Sequence, residues 1–198
     1  MPARRSTAPR ADEANADLDE VTLARARAGQ RTAKAALIER YQRPVFALLW
    51  RMVGPERAQV EDLAQETFLR ALEALPRFDP HGPARLVTWI LTIATRLALD
   101  HLRAQAPRSD LAAAPGGTPT ALPRPDQDAD RHVLGAALLQ AIGELSPPFR
   151  AAFLLREVHG LSYEEIAEAL AIDIGTVKSR LGRARALLQR ALAELHDG

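Results

Sequence analysis

The 198-residue chain has no cysteine, only 5% aromatic residues and no long apolar run. Without cysteine it cannot form disulfides, thiolate nucleophiles, iron–sulfur clusters or cysteine-ligated zinc sites. No segment reaches the roughly 18 apolar residues of a membrane span, and acidic, alanine-rich residues follow the basic N-terminus where a signal peptide needs its apolar run. We therefore expect no membrane insertion and a cytoplasmic location.

Lysine is nearly absent as well. Lys34 and Lys178 are the only two, so almost all of the 26 basic residues are arginines, and they nearly balance the 25 acidic ones. Guanidinium groups can bind phosphates and base edges through two parallel N–H groups. The formal net charge of +1 is therefore less informative than the position of the charges along the chain.

Proline and glycine divide the chain. Residues 105–130 contain five prolines and no apolar periodicity, which predicts a flexible Pro/Ala-rich linker because such a segment buries too little surface to fold. The flanking units, 21–104 and 131–198, repeat their apolar residues every 3.6 positions. The predicted buried stripes include Leu37, Tyr41, Val45, Leu48, Leu49 and Met52 in the first unit, and Leu134, Leu138, Ala141, Ile142 and Leu145, then Val177, Leu181, Ala184, Leu188, Leu192 and Leu195, in the second. We predict an all-α protein of two small helical domains, with a disordered tail over residues 1–20.

The C-terminal unit has the pattern of a helix-turn-helix. Ser162 and Glu165 form a capping box that opens a short helix, and after a break Asp173 can cap a longer one. The residues that point away from its core face are Thr176, Ser179, Arg183 and Arg190, and those on the flanks are Lys178, Arg180 and Arg185. In a helix-turn-helix, outward residues near the start of the second helix contact base edges in the major groove. A solvated helical bundle is the alternative.

Two predicted helices of the N-terminal unit carry candidate surfaces. Around residues 60–75, Leu69 faces outward among Asp62, Glu66 and Glu73, which indicates either a partner surface or a stray leucine on a solvated face. Between about 84 and 104, arginines share one helix face with Trp89. Arginines beside an indole suit single-stranded nucleic acid, since they bind phosphates while the ring stacks on bases. The alternative places Trp89 at the edge of the core.

The sequence shows no catalytic, metal-binding or cofactor-binding pattern. The five histidines lack the spacing of metal ligands: His81, His101, His132, His159 and His196. The phosphate-binding GxxxxGK[ST] and nucleophile GxSxG patterns are absent from the sequence. We expect no enzyme activity, no metal and no cofactor.

Four segments, in this order, resemble the extracytoplasmic-function sigma factors of bacterial RNA polymerase. They are DLAQETFLRAL (62–72), FDP (78–80), TWILTIATRLALDHLR (88–103) and LSPPFRAAFLLREVHGLSYEEIAEALAIDIGTVKSRLGRAR (145–185). The resemblance implies a sigma region 2-like domain over 21–104 and a region 4-like helix-turn-helix domain over 131–198. It also implies an alternative sigma factor, which binds core polymerase and directs promoter recognition and DNA melting.

The resemblance implies a role for each surface. The stretch that docks on the clamp helices of the largest polymerase subunit contains Asp62, Gln65, Glu66, Phe68, Leu69 and Arg70. The helix that melts the −10 element and captures flipped bases contains Arg85, Trp89, Thr92, Arg96 and Arg103. The helix that reads the −35 element contains Thr176, Lys178, Ser179, Arg180 and Arg183. Further implied partners are the polymerase flap, promoter DNA and an anti-sigma factor.

The chain departs from the family pattern at three places. It has Ile93-Ala94-Thr95-Arg96 where the family often has I-A-R-N, Ala171 where a turn glycine is common, and Ile174 where a polar residue usually starts the recognition helix. These departures concern base preference more than the fold. The rival from another class is an autonomous helix-turn-helix repressor or activator, which needs only the C-terminal unit. A recombinase is weaker still, because it needs a nucleophile-and-acid site.

Overall fold

The computed structural model describes residues 18–105 and 129–194, which form helices joined by turns. The N-terminal unit consists of α1 (Glu20–Arg27), α2 (Arg31–Val53), α3 (Arg57–Ala74), a 3₁₀ turn (Leu75–Arg77) and α4 (Leu86–Gln105). The C-terminal unit consists of α5 (Ala129–Glu144), α6 (Pro147–Phe153), a π-helical turn (Leu154–Val158), α7 (Tyr163–Leu170) and α8 (Ile174–Glu194). The all-α prediction is confirmed. Most of the expected tail (1–20) and linker (105–130) lies outside the described residues, which omit 1–17, 106–128 and 195–198. The ends of these two ranges belong to helices instead, since Asp19 caps α1, α4 ends at Gln105 and α5 begins at Ala129.

The core of the N-terminal unit is formed by α2, α3 and α4, which pack against one another. The apolar stripe predicted on α2 is confirmed, since all of its members are buried: Leu37, Tyr41, Val45, Leu48, Leu49 and Met52. The chain enters this core through Leu18, whose backbone N–H donates to the Tyr41 hydroxyl, and Asp19 then caps α1 by accepting from the Thr22 N–H. The buried stripe fixes which side of α2 faces the core.

The C-terminal unit contains the predicted helix-turn-helix. Both bonds of the capping box are present: the Glu165 N–H donates to Ser162 Oγ at 3.1 Å, and the Ser162 N–H donates to Glu165 Oε2 at 2.7 Å. The first part of the predicted α8 stripe is buried, namely Val177, Leu181, Ala184 and Leu188. The prediction that Leu138 belongs to the buried stripe of α5 is wrong, because its side chain is exposed.

The π-helical turn Leu154–Val158 places one extra residue between α6 and α7. The His159 N–H donates to the Leu154 carbonyl five residues back, at 3.2 Å. This wider turn buries Leu154 and Leu155 completely and still lets Glu157 reach α8. It ends at Gly160, whose φ of 70° lies in the left-handed region that favours glycine.

Ala171 ends α7 in the left-handed conformation, with φ 52° and ψ 50°. This geometry lets the following N–H, that of Ile172, donate to the Ala167 carbonyl at 3.0 Å, but it strains a residue that carries a Cβ. We expect Ala171→Gly to raise the free energy of unfolding by about 0.5–1 kcal/mol in urea denaturation. The exposed helical position Ala186 is a matched control, where the same change should cost about 1 kcal/mol. Destabilisation at both positions would show that Ala171 is not strained.

The two units contact each other. α7 lies against α4, and α6 lies against both α2 and α4. The contact brings the first helix of the helix-turn-helix onto the helix that carries the predicted −10 residues.

Candidate nucleic-acid interface

The start of α8 is fixed by Asp173. Its carboxylate accepts hydrogen bonds from the Thr176 N–H at 2.8 Å and the Thr176 hydroxyl at 2.6 Å, and these bonds hold the pKa of Asp173 below its usual value. The Ser179 hydroxyl donates to the Thr176 carbonyl at 3.0 Å. Because the Thr176 proton points to Asp173, its hydroxyl oxygen can only accept a bond from a ligand.

The remaining predicted −35 residues lie on the outer side of the N-terminal half of α8. Lys178, Ser179 and Arg183 are exposed. Arg180 is half-buried, and burial lowers the pKa of its guanidinium against the opposing effect of Asp173. Arg185 is held away from this set, because its Nη2 donates to Glu157 Oε1 at 2.6 Å, a bond that raises the pKa of Arg185. The structure thus brings the predicted −35 residues together.

The predicted −10 residues lie on α4, apart from Arg85, which directly precedes it, and they differ in their contacts. Trp89 is half-buried and packs against Phe78, with ring centroids 5.1 Å apart and planes tilted by 39°. The indole is therefore an edge of the core that keeps part of its surface exposed. Arg85 is exposed, and the exposed Arg103 pairs with Asp100 at 2.6 Å.

Arg96 and Thr92 make closer contacts than the sequence indicates. The Thr92 hydroxyl donates to the Thr88 carbonyl of its own helix at 2.9 Å. Arg96 reaches the other unit, where Nε donates to the Ala169 carbonyl at 2.9 Å and Nη2 to the Glu168 carbonyl at 3.0 Å. No local sequence pattern reports this contact, since the partners lie more than 70 residues apart.

The outer side of α3 forms a second candidate surface. Leu69 is 56% exposed beside an ion pair between Glu66 and Arg70, whose atoms are 2.6 Å apart. Asp62 and Gln65 are exposed one turn earlier. Phe68, which the resemblance places in the same set, is only 7% exposed and belongs to the core. It supports the surface from beneath.

Arg150 is a buried residue that sequence reasoning missed. From α6 its guanidinium donates to the carbonyls of Met52 at 2.5 Å and Leu145 at 3.0 Å, and to that of Gly143. Its side chain is 8% exposed, and burial lowers the pKa of Arg150. The only sequence signal is an arginine inside the apolar run PPFRAAFLL.

His159 is the second such residue. Its Nε2 is buried without a hydrogen-bond partner, and burial together with the charge of Arg51 lowers the pKa of His159 from 6.5 to about 4. The unfolded chain therefore binds a proton between pH 6.5 and 4 that the folded chain does not. The resulting stability is complete above the unfolded pKa and is lost as the pH falls towards the folded pKa.

We expect acidification from pH 7.5 to 5.0 to lower the free energy of unfolding by about 2 kcal/mol through His159. Urea denaturation at several pH values measures this difference. The neutral variant His159→Gln should lose that part of the pH dependence. Parallel stability profiles of the two proteins would show that His159 is protonated equally in the folded and unfolded states.

No three histidine or carboxylate side chains of residues 18–105 and 129–194 lie close enough together to hold a metal ion. Among the helices of the same ranges, none is both long and apolar enough to span a bilayer.

Comparisons with known proteins assign the family. Residues 37–108 match the family model Sigma-70 region 2, and residues 135–188 match Sigma-70, region 4. The ECF RNA polymerase sigma factor SigE of Mycolicibacterium smegmatis is 36% identical over 161 residues, which cover 80% of this chain and 61% of that protein. The RNA polymerase sigma-H factor of Pseudomonas aeruginosa is 33% identical over 186 residues, covering 89% of this chain and 95% of that protein. The chain belongs to the ECF RNA polymerase sigma factors.

This ECF sigma factor also resembles solved structures. The sigma factor RpoE of Bartonella quintana, solved in complex with the anti-sigma factor NepR, matches with a TM-score of 0.61 and 25% identity, covering 80% of this chain and 96% of that one. As an alternative sigma factor, the protein directs transcription initiation. The family predicted from the sequence is confirmed. The residues that match region 2 contain α3 and α4, and those that match region 4 contain α7 and most of α8.

Proposed function

We propose that this ECF sigma factor binds core polymerase through α3, captures the −10 element with α4 and reads the −35 element with α8. The observation that carries the proposal is the separation of three chemically different surfaces on three helices. An apolar and acidic surface surrounds Leu69, a basic aromatic one surrounds Trp89, and a basic one surrounds Arg183. The predicted domain boundaries, 21–104 and 131–198, belong to this proposal.

The α3 surface suits a protein partner. Docking would bury the exposed surface of Leu69, and the flanking charges of Asp62 and Glu66 would favour a partner of complementary charge. We assign the clamp helices of the largest polymerase subunit to this surface. The flap is assigned to the C-terminal unit.

The two DNA surfaces suit different forms of nucleic acid. The α4 face combines arginines with a partly exposed indole, which favours an unpaired strand whose bases stack. The outer residues of α8 project from a helix that fits the major groove of a duplex. If fully extended, the 23 residues between α4 and α5 would reach about 76 Å, so they can join two surfaces more than two turns of DNA apart.

Arg183 tests the −35 assignment. We expect Arg183→Ala to weaken binding to −35 duplex DNA by about 1–3 kcal/mol and to relax the base preference at one position, because a guanidinium can bind a base edge through two bonds. Fluorescence anisotropy with a set of substituted duplexes measures both effects. Arg190, exposed two turns further along α8, is the matched control. Equal affinities for the Arg183→Ala and unaltered proteins would remove Arg183 from the readout set.

Reconstitution tests the proposal as a whole. The full chain is mixed with sigma-free bacterial core polymerase, and comigration and transcription from genomic DNA fragments are measured. Stable association with promoter-specific start sites supports the three assignments. An inability to associate with active core polymerase, together with duplex binding by the chain alone, would favour the autonomous regulator.

An anti-sigma factor is a further proposed partner, and the complex of the solved relative supports it. Such a partner would keep the sigma factor from polymerase until a signal releases it. We place this regulation in the cytoplasm, where core polymerase acts. Copurification of the full chain with a second protein, followed by loss of transcription when that protein is added back, tests the assignment.

A further inference from the structure

Arg96 joins the two units of the chain. Its guanidinium donates to the carbonyls of Glu168 and Ala169 in the last turn of α7. Carbonyls in the last turn of a helix lack the usual donor four residues on and carry the negative end of the helix dipole. The Glu168 carbonyl also accepts from the Ala171 N–H at 3.2 Å, so Arg96 supplies its second hydrogen bond. The end of α7 therefore offers Arg96 two acceptor oxygens with partial negative charge, much as a phosphate group does.

Two further bonds cross between the units. The Thr88 hydroxyl, one turn before Thr92 on α4, donates to Glu165 Oε1 of α7 at 3.0 Å. Arg150 of α6 donates to the Met52 carbonyl near the end of α2 at 2.5 Å. We call the arrangement held by Arg96, Thr88 and Arg150 the closed arrangement.

In the closed arrangement, the −10 and −35 surfaces lie too close together to reach both elements of a promoter. Centres of the −10 and −35 elements are 25 base pairs apart by their numbering, or about 85 Å of duplex. In the closed arrangement Arg96 touches Ala169, and Thr176 follows only seven residues later, within about 25 Å even if extended. The −10 and −35 surfaces cannot occupy both elements until α7 separates from α4.

We propose that the closed arrangement is an autoinhibited state and that Arg96 is its latch. The inference rests on the proposed function, because it takes the −10 and −35 assignments as given. Arg96 binds either the α7 carbonyls or the sugar–phosphate backbone of the −10 strand, since one guanidinium cannot donate the same hydrogen bonds to both. Promoter engagement therefore includes the release of α7 from α4.

The latch covers only one of the three surfaces. Leu69 on α3 is 56% exposed, and Arg183 on α8 is also exposed while Arg96 is engaged. The closed protein can thus meet core polymerase and a −35 duplex. Opening is required before the −10 strand can be bound together with the −35 duplex.

The distance between the units in the free protein tests the latch. Because the chain has no cysteine, Gln42→Cys on α2 and Gln189→Cys on α8 give two exposed, unique sites for nitroxide labels. Double electron–electron resonance then measures their separation without DNA or polymerase. We expect one narrow distance for the otherwise unaltered chain, and a longer, broader distribution when Arg96→Ala and Thr88→Val are combined.

The matched control combines Arg103→Ala with Thr92→Val. It also removes one guanidinium and one hydroxyl from α4, but both groups bond within their own helix. This control should keep the narrow distance. A distribution that is unchanged in the Arg96→Ala, Thr88→Val protein, or equally broadened in both, overturns the latch.

Transcription by the reconstituted holoenzyme separates the latch from the proposed function. Both the latch and the −10 assignment are supported if both double variants bind the −10 element more weakly and only the Arg96→Ala, Thr88→Val protein opens. Opening without any loss of −10 binding would leave the latch intact and refute the −10 assignment. In the holoenzyme on promoter DNA, the label distance should lengthen by tens of ångströms, and an unchanged distance there would refute the latch.

Discussion

Glu66→Arg is expected to lower the affinity for core polymerase by about 100-fold, or about 2.7 kcal/mol. The substitution reverses one charge of the α3 surface, so attraction to a complementary partner becomes repulsion. It also places two arginines together, because Glu66 pairs with Arg70. Truncating the apolar centre by Leu69→Ala should cost about 10-fold, since less apolar area is buried on docking. Titration of labelled sigma factor with core polymerase measures both changes.

Glu61→Arg is the matched control for the charge reversal. Glu61 also lies on α3 and forms the same type of ion pair, with Arg57 at 2.7 Å, but it is outside the proposed docking set. Any general weakening of α3 would therefore affect both variants. Equal polymerase affinities for Glu61→Arg and Glu66→Arg would show that the acidic surface is only solvated.

Arg150→Met is expected to lower the free energy of unfolding by about 3 kcal/mol. Methionine keeps the apolar stem but leaves the carbonyls of Met52, Gly143 and Leu145 without their donors. Hydrogen bonds to charged groups contribute about 1.5–3 kcal/mol each, offset here by the cost of burying the guanidinium. A buried arginine can often be replaced by an apolar residue without loss, but backbone carbonyls cannot be removed with it.

Arg150→Lys separates charge from geometry. Lysine retains the positive charge but cannot reproduce the planar fork, so we expect it to recover about half of the lost stability. Urea denaturation of the three proteins at one pH measures the series. A cost below about 1 kcal/mol for Arg150→Met would mean that the carbonyls find water or other donors.

The helices and their buried faces could be predicted because they depend on local spacing. The α2 stripe from Leu37 to Met52, the Ser162 capping box and the Asp173 cap all follow from residues three or four positions apart. The outward positions, such as those of Leu69 and Arg183, follow from the same helical periodicity. Leu138 shows the limit, since a periodic apolar residue stays exposed where no neighbouring helix covers it.

The contacts between the units could not be predicted, because they join residues that local periodicity does not relate. Arg96 shares its helix face with the other basic residues of the −10 set, yet its guanidinium donates to carbonyls of α7. Phe68 and Leu69 are neighbours in the sequence, but Phe68 is buried in the core whereas Leu69 is exposed. A family motif therefore identifies a stretch of helix, whereas the fold decides which of its side chains can touch a partner.

The π-helical turn makes the helix-turn-helix more sensitive to length than to composition. Removing Arg156 while the wide turn is kept would rotate the side chains that follow it by about 100°. Glu157 would then point away from Arg185 and lose its bond to α8. Substitutions at the exposed positions of this turn should be tolerated among related chains, whereas single-residue insertions and deletions should be selected against.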